Sequence, residues 1–241
     1  MMITRAIRLV FLVSLTLSEG LAQISGGIVS TLKIYGGIGL HQMSTAEHFL
    51  TVFSDNGFAS SKTMPHPIYG EETRTYPYHG RLAKENVFIQ LELELGLPFI
   101  AGAGIQGDKY GTIFGRTQTD EFVTLDYLIK SRYIYGGLVQ PLGRAFTFRG
   151  GAGVSLNDLT LKLDTPLLLT GSPTGWILMG GIDYTLSQLV SIGFMARHNA
   201  IPDWKVPEIE WTFNDNQLSI VTNNMPTTQT DINFTIRLSI F

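Results

Sequence analysis

The sequence has no cysteine, which excludes disulfides, thiol catalysis and a lipid anchor on an N-terminal Cys. It is also poor in charge. Asp, Glu, Lys and Arg make up 15% of the chain, well below the roughly 25% of ordinary soluble domains. Long apolar runs are missing: outside the first 22 residues nothing approaches the roughly 20 that a membrane-spanning helix requires, so a helical membrane protein is excluded. A broad basic surface is missing as well. With 17 Lys and Arg against 20 Asp and Glu, nucleic acid is not an expected partner.

What is present begins with an export signal. Arg5 and Arg8 supply a basic start, residues 9–17 an apolar core, and Gly20-Leu21-Ala22 a small-x-small cleavage site. Setting residues 1–22 aside leaves 219 residues with 15 basic and 19 acidic side chains, read as one domain over 23–241.

Through that domain apolar and polar residues alternate with a period of two, as they do on strands with one greasy and one polar edge. Eight segments show the pattern. Residues 31–42 set Leu32, Ile34, Ile38 and Leu40 against Lys33, Tyr35 and His41. Val87, Ile89, Leu91, Leu93, Leu95 and Leu97 oppose Gln90, Glu92 and Glu94, the cleanest sorting in the chain. A Gly-Ala segment over 99–106, resuming to 114, is third. Residues 121–139 set Val123, Leu125, Tyr127, Ile129, Tyr133 and Tyr135 against Thr124, Asp126, Lys130 and Arg132, and are long enough to project beyond a membrane.

The fifth strand, 145–157, sets Phe146, Phe148, Val154 and Leu156 against Thr147, Arg149 and Ser155; the sixth, 175–186, sets Trp176, Leu178, Ile182 and Tyr184 against Met179, Asp183 and Thr185. Residues 189–198 carry Val190, Ile192 and Phe194 opposite Ser191 and Arg197. The last segment, 231–241, alternates Ile232, Phe234, Ile236, Leu238 and Ile240 with Asn233, Thr235, Arg237 and Ser239. Links at 97–98, 140–144 and 187–188 are short, whereas 43–86, 107–120, 158–174 and 199–230 are long. Short turns at one end and long loops at the other describe an all-β, eight-stranded antiparallel up-and-down transmembrane barrel, with periplasmic turns and extracellular loops.

Alternation alone does not orient the wall, and a soluble lipocalin-like carrier would turn its apolar edge inward. Charges of both signs amid glycines on the polar edge, aromatics clustered at strand ends and a terminal Phe favour the opposite polarity. Glu92, Glu94, Asp126, Lys130, Arg132, Arg149, Asp183, Arg197 and Arg237 are then interior groups, expected to pair as carboxylates with guanidinium or ammonium groups and to act as a structural plug. Tyr133, Tyr135, Phe146, Phe148, Trp176 and Tyr184 are expected outside, at the membrane–water boundary.

The signal segment, Lys33-Ile-Tyr-Gly-Gly-Ile-Gly-Leu-His41, the Gly-Gly-Ile-Asp-Tyr-Thr-Leu186 stretch and the terminal Phe241 resemble small bacterial outer-membrane β-barrel proteins of the OmpA/OmpX-like type. The resemblance implies an outer-membrane location, surrounding lipid, and an assembly signal at Phe234 and Phe241 read by the barrel-assembly machinery. Phe241 lies one residue out of phase with the greasy series, which a terminal bulge would reconcile.

Other motifs carry less. Arg197-His198-Asn199-Ala200-Ile201 resembles the His-bearing segment of lipid A deacylases, but Ala200 stands where the nucleophilic hydroxyl belongs. The loop 43–86 holds His48, His66, His79, Glu47, Glu71 and Glu72 without the compact spacing of a metal site. Ser44 and Glu47 form a capping-box pattern for a helix over 44–53. Tandem glycines such as Gly150-Gly151 relieve crowding in a small barrel.

The expected function is that of a monomeric, non-enzymatic barrel without cofactor, plugged inside, presenting long loops, 43–86 above all, to an extracellular ligand or surface. A narrow porin-like channel, a lipid A-modifying enzyme and the soluble carrier are the alternatives.

Overall fold

A computed structural model of the chain describes residues 31–59, 61–65, 68–70, 72–77, 83–95, 98–115, 122–163, 167–205, 209–213, 216–220 and 224–240. The expected signal at 1–22, the terminal Phe241, His66, His79 and Glu71 lie outside them.

Eight strands form the wall: β1 (Thr31–Met43), β4 (Ala83–Glu94), β5 (Phe99–Gly115), β6 (Phe122–Leu142), β7 (Phe146–Leu163), β9 (Thr174–Thr185), β10 (Val190–Ala200) and β13 (Gln229–Ser239). Each pairs antiparallel with its neighbour, and β13 pairs back onto β1, so the sheet closes. Helix α1 (Ser44–Asp55) and the hairpins β2 (Ser61–Pro65) with β3 (Thr73–Pro77) and β11 (Ile209–Phe213) with β12 (Asn216–Ile220) occupy two of the long links. The short strand β8 (Leu167–Gly171) pairs with β7 above the point where β9 leaves it.

Two of the links read as long, 107–120 and 158–174, are shorter than expected, because β5 runs unbroken to Gly115 and β7 continues to Leu163, past the 157 that alternation suggested, while β6 starts within one residue of its expected 121. β6 has 21 residues. At about 3.3 Å per residue that is roughly 65 Å of strand, whereas a tilted strand crosses an apolar band of about 25 Å with some ten residues. Half of β6 must therefore stand clear of any such band.

The upper halves of β5, β6 and β7 enclose an apolar core under α1. Val123, Leu125, Tyr127 and Ile129 of β6 meet Tyr110 and Phe114 of β5, Leu159 and Leu161 of β7, and Phe49 and Phe53 of α1, all buried. The helix contributes Ala46, Phe49 and Phe53 from a single face, as 3.6-residue periodicity requires. Phe53 stacks on Phe114 with 4.6 Å between ring centroids. The helix starts where the sequence suggested but without the capping box: no side chain caps it at Met43, and Glu47 instead accepts a hydrogen bond from Gln42 Nε2 at 2.5 Å. Its first turn is tied across the chain, with the Ser44 N–H and hydroxyl both donating to Thr228 O at 3.0 and 2.9 Å.

Lower in the barrel the glycines have a specific task. Gly102 and Gly104 on β5 sit in register with Tyr135 and Tyr133 on β6, and a Cβ on either glycine would enter the facing tyrosine ring. Two inward rings fit only because the adjacent wall is bare backbone. Gly107, by contrast, has nothing within 4 Å of its Cβ position. Gly104→Val should therefore destabilise the barrel by about 1–3 kcal/mol through overpacking, while Gly107→Val stays near wild type. Urea titration followed by heat-modifiable gel migration checks this, and equal midpoints for the two variants would contradict it.

Candidate functional site

The barrel interior is a stack of polar side chains contributed by every wall strand. Its lower part centres on Arg149, whose Nη1 lies 2.5 Å from Glu92 Oε1 and whose Nη2 pairs with Asp183. Arg237 reaches the same Asp183 at 3.3 Å and donates to Ser191 Oγ at 2.6 Å. Glu92 also accepts from Tyr35 OH at 3.0 Å and from Tyr135 OH at 2.7 Å. Lys33 pairs with Glu94 beside them. Three cations thus meet three carboxylates.

Above this layer, Tyr133 OH donates to Gln90 Oε1 at 3.0 Å and accepts from Arg197 Nη1 at 3.0 Å. Arg197 Nε donates to Asp231 at 3.0 Å, and its guanidinium lies 3.9 Å over the Phe88 ring. A single amide group, Gln106 Nε2, bridges Asp108 at 2.7 Å and Asp231 at 2.8 Å. Asn86 and Asn233 donate to the same two carboxylates, and His41 Nδ1 is 3.8 Å from Asp108. A neutral layer follows: Ser131 donates to Asn157 at 2.7 Å, Ser155 to Asn199 at 2.7 Å, and Asn199 to Asn157 at 2.9 Å. The apolar core under α1 closes the stack from above.

Of the residues expected inside, Glu92, Arg149, Asp183, Arg197 and Arg237 are buried in the network, and Glu94 is half-buried at its lower edge. Asp126, Lys130 and Arg132 are not there. They point outward, with Arg132 Nη2 bonded to Asp158 Oδ2 at 2.8 Å on the outer wall. Tyr133 and Tyr135, expected at the outer boundary, are inside with their hydroxyls in the network. Both corrections have one cause. The greasy face of β6 turns inward over its whole length, packing under α1 above and lending phenol hydroxyls to charged partners below.

The opposite phase carries the outward series, with Ile134 and Leu138 exposed by 67% and 53%. Phe146, Phe148, Trp176 and Tyr184 are exposed on the outer wall, where Phe146 and Tyr184 lie 5.1 Å apart, and Phe234 faces outward beside Phe194. His198 is outward too, bonded to Thr230 Oγ1 at 2.9 Å.

Sequence reasoning missed Tyr35, Gln90, Gln106, Asp108 and Asp231 as network members. Asp231 shares the inward phase of Asn233, Thr235 and Arg237, so alternation carried that signal; Asp108 lies in the stretch 107–114, which reads both as the strand resuming and as part of the link 107–120.

Removing Arg149 would leave the buried Glu92 without its guanidinium partner. An uncompensated buried charge costs about 3–5 kcal/mol, so Arg149→Met should be strongly destabilising, and Arg149→Met/Glu92→Gln less so than the single change. A double-mutant cycle in urea measures this coupling. Strict additivity would show that the pair does not interact.

No protein-family model and no curated protein sequence matches the chain. Solved structures do resemble it in shape: Neisserial surface protein A at 9% identity and a TM-score of 0.49, covering 87% of this chain and 97% of that one; OprG of Pseudomonas aeruginosa at 12% and 0.49, covering 88% and 98%; and Ail of Yersinia pestis, the attachment invasion locus protein, at 9% and 0.43, covering 87% and 97%. The chain is a closed eight-stranded antiparallel up-and-down barrel.

Proposed function

We propose that the chain is an integral outer-membrane barrel, exported by its N-terminal signal and folded with the barrel-assembly machinery. Its lumen is blocked by its own side chains, and its long-loop end is displayed outside the cell. The observation that carries this reading is the continuous apolar belt. Exposed apolar side chains occur on every wall strand, from Ile38 and Leu40 on β1 through Ile105, Ile134, Phe148, Leu178 and Phe194 to Phe234 and Ile236 on β13, with Val87 on β4 completing the ring. Monomeric soluble proteins rarely expose more than a few hundred Å² of contiguous apolar surface. A closed sheet is also the only β-structure that leaves no backbone amide facing lipid.

The plug is supported by the burial of Tyr35, Arg149, Tyr133, Arg197 and Asp231, which come from five different strands and meet across the centre. At eight strands the interior is about wide enough for side chains to fill. A catalytic role has no support at His198, because Thr230 takes up its Nδ1 and Ala200 offers no hydroxyl. The segment 61–79, within the long link 43–86, is the candidate contact surface for an extracellular ligand, with the barrel acting as a monomer.

Planar-bilayer recording of the purified protein should give no discrete conductance steps; regular steps would favour the narrow-channel reading. Deleting 61–79, which keeps the buried Phe58 and the Ala59–Gly115 bridge, should leave heat-modifiable migration intact. Loss of that migration would contradict a division into scaffold and display loop.

A further inference from the structure

The outer wall carries a furrow at the upper edge of the apolar belt. Two adjoining rows of the sheet build it: Val87, Gly107, Lys130 and Asp158 in one, Ile89, Ile105, Arg132 and Leu156 in the next. Gly107 leaves its outward position empty, so the apolar side chains of β4 and β5 form one bank and the cations of β6 the other. The row below, Leu91, Ala103, Ile134 and Val154, is wholly apolar. Charge therefore stands at the top of an apolar stretch of the wall.

Among the described residues, this placement of fixed cations is confined to one side of the barrel. Where the apolar stretches of β1, β9, β10 and β13 end at the same border, the first outward polar residues are Gln42, Thr174, His198 and Thr230, none with a permanent charge. On β6, Lys130 and Arg132 stand together; Asp158 lies across from Lys130 in the register and engages Arg132 Nη2. Of these three groups two are cations and one an anion, and a guanidinium fork of five donors retains further N–H groups for a phosphate.

We infer that this furrow binds a phosphorylated, multiply acylated lipid of the leaflet nearest the long-loop end, with Lys130 and Arg132 on the phosphate and one acyl chain along Val87, Ile89 and Ile105. The inference rests on the membrane insertion proposed above. Charge and apolarity both select the ligand class, since a free anion would not use the furrow and a zwitterionic lipid would gain less from the cations.

Native mass spectrometry tests it, using protein released from detergent micelles that contain lipid A and phosphatidylcholine in equal amounts. The wild type should retain lipid A in preference. Lys130→Gln/Arg132→Gln should lower that retention about fivefold or more, and Gly107→Phe, which fills the furrow and leaves both cations, should lower it as well. Lys205→Gln, an exposed charge elsewhere, should not change it, and excess inorganic phosphate should not displace the lipid. Heat-modifiable migration is recorded for each variant. Wild-type retention in both furrow variants, equal retention of phosphatidylcholine, or displacement by phosphate would overturn the site while leaving insertion intact. A wild type soluble without detergent would overturn insertion, and the site with it.

Discussion

A ring of eight strands is about as wide as the side chains that point into it, and that narrowness governs the rest of the molecule. Every inward residue meets the opposite wall, so each polar group must find a partner there or remain buried without one. The lower network answers most of this demand with alternating charge, Lys33, Arg149 and Arg237 against Glu92, Glu94 and Asp183, and leaves Arg149 Nε and Arg237 Nε without a hydrogen-bond partner among the described residues. Tyrosine hydroxyls complete it, because a phenol donates to a carboxylate and accepts from a guanidinium at the same time. The same narrowness explains the bare glycines opposite Tyr133 and Tyr135, where any side chain would occupy the space of a ring.

Along its axis the barrel reverses polarity. In the lower part the interior is charged and the outer wall apolar; above the Ser131–Asn157–Asn199 layer the interior is apolar and the outer wall carries Lys109, Asp126, Lys130 and Asp158. β6 runs through both regions without a break, and one face of it stays inside throughout. On the insertion proposed above, a lipid-facing belt and a water-facing turret are built from the same sheet. In that reading the reversal marks the border between the two solvents; it is also where Lys130 and Arg132 meet the apolar furrow.

The closed eight-stranded architecture was legible because strands such as β4 and β13 have one role along their whole length, so Leu91 against Glu92, or Phe234 against Thr235, reports the wall directly. On β6 the greasy residues 123–129 and the tyrosines 133 and 135 share a phase, and alternation reads them as one lipid-facing edge. The contrary signal was present in two forms: Ile134 and Leu138 in the opposite phase, and the Gly102-x-Gly104 pair on the next strand, which makes room for inward rings. Neither could be weighed without strand register, which depends on contacts far apart in the chain. The bridging of Asp108 and Asp231 by Gln106 is likewise tertiary, joining positions that no local pattern connects.

The reversal of polarity along β6 is the central physical claim, and the absence of native cysteine makes it directly measurable. Single cysteines placed at Leu125, Lys130, Ile134 and Leu138, each carrying an environment-sensitive fluorophore and reconstituted into bilayers with brominated lipids, report which solvent each position meets. The account predicts strong quenching by brominated acyl chains at 134 and 138, aqueous quenching at 130, and neither at 125. Acyl-chain quenching at 125 with aqueous quenching at 134 would contradict it.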